Sequence, residues 1–145
     1  MVDNIILLVE DNPHDEALTL RALRKNNLRN KVIVVRDGVE ALDFLFCRGD
    51  YADRDPKDLP ALVLLDLRLP KVDGLDVLRC IRADEHTRLL PVVILTSSNA
   101  DQDFLAGYIY GVSTYIRKPV NFIDLVEALR HLNLYLLVLT EFPHL

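Results

Sequence analysis

Five short aliphatic runs, each followed by a helical pattern, limit what this chain can fold into more than any other feature. The runs are NIILLV (4–9), KVIVV (31–35), ALVLLD (61–66), PVVILT (91–96) and VSTYI (112–116). They are rich in β-branched residues and largely without polar alternation, which marks strands covered on both faces. Asn12 and Pro13 form an N-cap and N1 pair opening HDEALTLRALRKNN, with Ala17, Leu20, Leu23 and Arg24 in helical register. Asp37 caps GVEALDFLFCR, Gly74 leads into LDVLRCIRAD, ADQDFLAGYIYG makes a fourth helical pattern, and Asn121 caps NFIDLVEALRHL. Strand and helix alternating five times imply the α/β class, a doubly wound five-stranded parallel sheet, (βα)5, with helices on both faces. Right-handed crossovers at each step lead to the strand order 2-1-3-4-5.

One domain is expected over 1–133, with a polar insert RGDYADRDPKDLP (48–60) lengthening the connection into the third strand as a surface loop. Residues 134–145 form an apolar tail, and no effector domain is expected after it. No apolar run is long enough to span a membrane and the N-terminus has no basic n-region, so a cytoplasmic protein without membrane contact is expected. Cys47 and Cys80 lie in apolar helical patterns and read as core-facing free thiols. His14, His86, His131 and His144 are scattered without ligand spacing, and suit surface or capping roles. A net charge of −5 argues against a nucleic-acid surface.

In such a sheet, ligands bind beyond the carboxyl ends of the strands. Glu10 and Asp11 close the first strand, Asp66 the third, and Thr96 the fourth, while Lys118 and Pro119 follow the fifth. The first and third strands are neighbours in this order, so three carboxylates share one small space. Two unit charges ~4 Å apart repel by about 4 kcal/mol at an effective dielectric of ~20. Either one acid takes a proton or a hard divalent cation binds; carboxylates with carbonyl and water are an oxygen set that Mg²⁺ accepts.

These residues resemble the receiver domain of bacterial two-component response regulators, over nearly the whole chain. Asp66 is followed by Pro70 and Gly74 in DLRLPKVDG; Thr96 lies 30 positions and Lys118 52 positions after Asp66; Tyr115 stands three before Lys118. The resemblance implies a CheY-like, flavodoxin-like fold. The Asp11-to-Asp66 gap is longer than the family's usual one, and the 48–60 insert accounts for it. The insert, the DLRLPKVDGLDVLR stretch and the tail LNLYLLVLTEFP look like stand-alone receivers paired with phytochrome-type histidine kinases.

The resemblance implies that Asp66 takes a phosphoryl group from a kinase phosphohistidine, with Mg²⁺ as cofactor. Asp11, Asp66 and the backbone carbonyl of Arg68 are then the metal ligands, and Glu10 holds metal-bound water. Lys118 and the Thr96 hydroxyl meet phosphoryl oxygens. Pro119 is a candidate for a cis peptide that aims Lys118 inward. Thr96 and Tyr115 form the switch, the ring turning inward as the hydroxyl moves toward Asp66. The chain is then a phosphoacceptor and not an enzyme with an external substrate. Arg68, large and basic beside the phosphate, is expected to screen the acyl phosphate and alter its hydrolysis.

Three rivals share features with this chain. A haloacid-dehalogenase-type phosphatase carries a second Asp two residues after its nucleophile, where this chain has Arg68. A flavodoxin-like flavin carrier has a Ser, Thr and Gly-rich phosphate loop, where this chain has the acidic VEDNPHDE. A binding module of the same fold would lack phosphorylation altogether. The last helix presents Phe122, Leu125, Val126, Leu129 and Leu132 as one stripe, and Leu134 to Leu139 are apolar without interruption. A small sandwich cannot cover every side of that segment, so a two-fold homodimer built on it is expected.

Overall fold

The computed structural model describes residues 5–26, 31–96, 111, 114–117 and 121–141; at 96, 114, 115, 117 and 132–141 it describes the backbone alone. The strands are β1 (Ile5–Val9), β2 (Lys31–Val35), β3 (Leu62–Asp66), β4 (Val92–Thr96) and β5 (Thr114–Arg117). The helices are α1 (Pro13–Lys25), α2 (Gly38–Leu45), α3 (Gly74–Ala83) and α4 (Phe122–Glu141), with a 3₁₀ turn at Gly49–Tyr51. The helical pattern expected over 100–111 lies outside the described residues apart from Gly111. All strands pair in parallel in the order β2-β1-β3-β4-β5.

Strand alternation sorts the core into two halves. Leu7, Val9, Val63, Leu65, Val92 and Ile94 face α2 and α3, joined by Phe44, Val77, Leu78 and Ile81. Ile6, Leu8, Leu62, Leu64, Val93 and Leu95 face α1 and α4, joined by Ala22, Leu23, Leu125 and Leu129. Every residue of β3 is buried, as a central parallel strand requires. Of the stripe on α4, Leu125 and Leu129 are buried and Phe122 and Val126 pack against them; the side chain of Leu132 lies outside the described residues.

The caps form as their residue types dictate. Asn12 Oδ1 accepts from the N–H groups of His14 and Asp15, Asp37 Oδ1 from Glu40, and Asn121 Oδ1 from Asp124. On α1, which is helical as its register implies, Thr19, Ala22 and Leu23 are buried, Leu20 packs against the core, and Ala17 and Arg24 are exposed. Two readings of the sequence are corrected. Cys80 is a free thiol but exposed: Val77, Leu78 and Ile81 take the inward face of α3, and Cys80 stands about 200° round the helix from Leu78. Cys47, also free, is half-buried beyond the end of α2 at a φ of 55°, where the helix has already turned off.

The insert is more than a surface loop. Its 3₁₀ turn brings the Tyr51 ring edge-on to Phe44, with centroids 5.1 Å apart. The Arg54 guanidinium lies 3.8 Å from the centroid of the Phe44 ring, and donates to the carbonyls of Phe44 and Asp58. Pro60 is buried, and Ala61 N–H donates to the Ile5 carbonyl at 2.7 Å as the chain enters β3.

Candidate functional site

Strand register brings the acids together. Val9 is opposite Leu65 in the β1–β3 ladder, so Glu10 and Asp66, one residue on, come level at the carboxyl ends. Ile6 and Leu8, and likewise Leu62 and Leu64, point to one face, and period-2 alternation sends Glu10 and Asp66 to that same side. Glu10 is 0% exposed and Asp66 6% exposed, while Asp11 is open to solvent. One carboxylate oxygen from each of Glu10, Asp11 and Asp66 lies within 4.8 Å of the other two.

The backbone around the acids is tightly arranged. Glu10 N–H donates to the Val35 carbonyl at 3.0 Å, and its carboxylate accepts from Asn12 N–H at 3.4 Å, just before α1 begins. Asp66 Oδ1 accepts from Arg68 N–H at 3.0 Å, which turns the chain sharply after β3. Gly74 N–H then returns to the Leu67 carbonyl at 2.9 Å. A Cβ on Gly74 would stand 2.3 Å from the Asp66 carbonyl oxygen and 2.4 Å from Leu67 Cα, so only glycine allows α3 to start there.

The loop between, 67–73, is also held from α2. Gly38 N–H donates to the Pro70 carbonyl at 3.3 Å, and a Cβ at Gly38 would lie 1.9 Å from the Val72 carbonyl oxygen. Lys71 sits at a φ of 68° and pairs with Asp37 at 3.4 Å. These contacts of Asp37, Gly38 and Lys71 were missed from sequence. Asp37-Gly38 reads locally as a helix cap only, and nothing local tells that the cap meets a loop some thirty residues on.

Of the other expected site residues, the backbone of Thr96 ends β4 one step beyond Leu95, which pairs with Asp66. Tyr115 is placed in β5 opposite Ile94. The side chains of Thr96 and Tyr115, and all of Lys118 and Pro119, lie outside the described residues. The Arg68 side chain is exposed.

Donor chemistry at this rim suits a hard divalent cation. Three carboxylates converge, all oxygen and without a thiolate or imidazole among them, and two are buried where mutual repulsion is least screened.

Residues 6–130 match the response regulator receiver domain. The chain belongs to this family of two-component signalling proteins. It is 36% identical over 139 residues to the response regulator Rcp1 of Synechocystis, covering 96% of this chain and 92% of that one. The Mn²⁺-bound form of Rcp1 superposes with a TM-score of 0.79, at 36% identity and coverage of 90% of this chain and 91% of that one. The bacteriophytochrome response regulator RtBRR is 49% identical with a TM-score of 0.78, over 89% of this chain and 76% of that one. The phosphorylated cyanobacterial phytochrome response regulator RcpA has a TM-score of 0.82 at 37% identity, over 94% of this chain and 95% of that one. Membership of this family sets aside the phosphatase and flavin-carrier readings. Among the described residues, no helix is long and apolar enough to cross a membrane.

Proposed function

We propose that this receiver is a phosphoacceptor: Asp66 takes a phosphoryl group from the phosphohistidine of a histidine kinase, and a phytochrome-type sensor is the kinase. The observation that carries this is the convergence of Glu10, Asp11 and Asp66 at one end of the sheet. The phytochrome partnership rests on the likeness to RtBRR and RcpA. A cytoplasmic location goes with that role.

In the transfer, a carboxylate oxygen of Asp66 forms a bond to phosphorus as the P–N bond breaks. The imidazole departs with its electron pair and recovers a proton. The product is an acyl phosphate, and the protein's work is positioning and charge neutralisation. Asp11, Asp66 and the Arg68 carbonyl would hold Mg²⁺, with Glu10 holding a water on it. When bound, Mg²⁺ supplies positive charge against the three acids and the phosphoryl oxygens. Lys118 pairs with one of those oxygens as a compact ammonium, and the Thr96 hydroxyl donates to another. Thr96 then draws toward Asp66, and Tyr115 turns into the space, which reshapes the face near β5. Arg68, two residues after Asp66, screens the acyl phosphate. The unbroken α4 carries the apolar 134–139 segment, on which a homodimer forms.

Two measurements test this reading. Acetyl phosphate with Mg²⁺ adds one phosphoryl mass to the wild-type chain and none to Asp66→Asn, which stays folded because the two side chains are nearly isosteric. A wild-type chain that gains no mass supports a phosphorylation-independent binding module instead. Mg²⁺ raises the melting temperature by mass action on the folded state, and Asp11→Ala removes most of that rise. An unchanged response in Asp11→Ala places the metal elsewhere.

A further inference from the structure

We infer that the 48–60 insert is a brace for the phosphorylation loop, acting from Tyr51 through Glu40 and the Asp37–Gly38 cap onto residues 67–74. This rests on the metal-site and Asp66 reading above and adds positioning residues to it.

Contacts run without a break from insert to loop. Tyr51 packs edge-on against Phe44 and donates its hydroxyl to Glu40 Oε2 at 2.9 Å. Burial and the Glu40 carboxylate push the Tyr51 phenol up to about 12, so it stays a donor at any ordinary pH. Glu40 Oε1 accepts from Arg36 N–H at 2.9 Å, and Glu40 N–H donates to Asp37 Oδ1 at 2.8 Å. One carboxylate therefore ties the insert, the end of β2 and the first turn of α2 together. From there Asp37 Oδ2 pairs with Lys71 and Gly38 N–H holds the Pro70 carbonyl. The loop closes on Asp66 through Arg68 N–H and through the Leu67–Gly74 bond.

Why the loop should need a brace follows from Lys71. Its φ of 68° is a conformation that an L side chain keeps only where the surroundings hold it. The Lys71–Asp37 pair, its lysine in solvent and its carboxylate half-buried, is weak by itself. The Gly38–Pro70 bond and the close approach of Gly38 to Val72 supply the hold, and both depend on where the first turn of α2 sits. Tyr51 fixes that turn from outside through Glu40, and Arg54 holds the insert to the far end of the same helix at Phe44. Letting the first turn of α2 drift loosens the turn in which Arg68 N–H donates to the Asp66 carboxylate, and with it the site. Tyr51 and Glu40 are positioning residues by this account.

Tyr51→Phe keeps the ring on Phe44 and removes only the donor. It is expected to raise the Mg²⁺ concentration at half-maximal thermal stabilisation about threefold, the factor that one net hydrogen bond allows. Acetyl phosphate labelling of Asp66 slows alike at limiting Mg²⁺ and recovers at saturating Mg²⁺. Arg54→Ala, which frees the insert at a second point, moves the Mg²⁺ midpoint the same way. A lowered melting temperature with an unchanged Mg²⁺ midpoint in both variants overturns the brace. If the wild-type chain itself shows neither Mg²⁺ stabilisation nor labelling, the acid-site reading fails and takes the brace with it. The silent wild type tells the two failures apart.

Discussion

Two connections flank β3, and they are held by opposite means. The one leaving it, 67–73, is short and locked by backbone: Leu67 to Gly74, Pro70 to Gly38, and two glycines with no room for a Cβ. The one entering it, 48–60, is long and locked by side chains: Tyr51 and Arg54 on Phe44, and Tyr51 on Glu40. Backbone bonds belong to atoms every residue carries, so this closure is intolerant at two positions only, Gly38 and Gly74, where a Cβ has no room. Side-chain closure tolerates change at most insert positions and concentrates its hold in a few. The site sits beside the rigid connection, as chemistry that depends on tenths of an ångström requires.

The sharpest way to break this contrast is Gly74→Ala. The added Cβ would stand 2.3 Å from the Asp66 carbonyl oxygen, so β3, the loop or α3 must shift. A loss of about 3 kcal/mol in urea unfolding is expected, at the upper end for overpacking. A loss under about 1 kcal/mol would show that this connection yields as easily as a side-chain-closed one.

Arg54→Ala probes the other connection and should cost less, about 1–2 kcal/mol, because it removes a cation–π contact and three hydrogen bonds, one of them a weak one to Cys47 Sγ, from a half-buried place. The loss should come with faster proteolysis inside 48–60 and not elsewhere. Uniform exposure of the whole chain to protease would mean that the insert is part of the global fold and not a separately held piece.

The same contrast explains what the sequence made legible. Strands, caps and the Asp66 position are local facts, carried by β-branched runs and by Asn12, Asp37 and Asn121, and they stand where expected. Gly74 was legible as part of DLRLPKVDG, although the reason, a helix start pressed on the Asp66 carbonyl, is tertiary. The folded insert was not legible. Gly, Pro and Asp dominate it, and the two residues that hold it reach Phe44 and Glu40 across a turn that composition does not reveal. Cys80 was misplaced because apolar character alone ignores the one-residue, 100° step that separates it from Ile81. Thr96, Lys118 and Tyr115 stay expectations at the side-chain level, since those atoms lie outside the described residues.

Lys71→Gly sharpens the contrast from the loop side. Glycine relieves the left-handed φ, but it frees the unfolded chain and forfeits the surface pair with Asp37. The net expected is a gain of about 0.5 kcal/mol, read from the urea midpoint. A loss above about 1 kcal/mol would mean that the Asp37 pair contributes far more than an exposed ion pair should.

The smallest effect is the most specific, because it isolates one hydroxyl. The Tyr51 phenol is raised from 10.0 to about 12, first by burial and then by the Glu40 carboxylate that accepts its proton. A raised acid binds its proton more tightly in the folded chain than in the unfolded one. Its contribution to stability is therefore full below pH 10 and falls away as pH rises through about 12. Wild type should lose its stability advantage over Tyr51→Phe across that window, while the two run parallel below it. Tyrosinate absorbance gives the direct reading: the late-ionising phenol seen in wild type should be missing from Tyr51→Phe. If all five tyrosines of wild type ionise together near pH 10 in the folded chain, Tyr51 is not held against Glu40. The insert would then rest on Arg54 and Phe44 alone, closed by packing without a polar link to the loop.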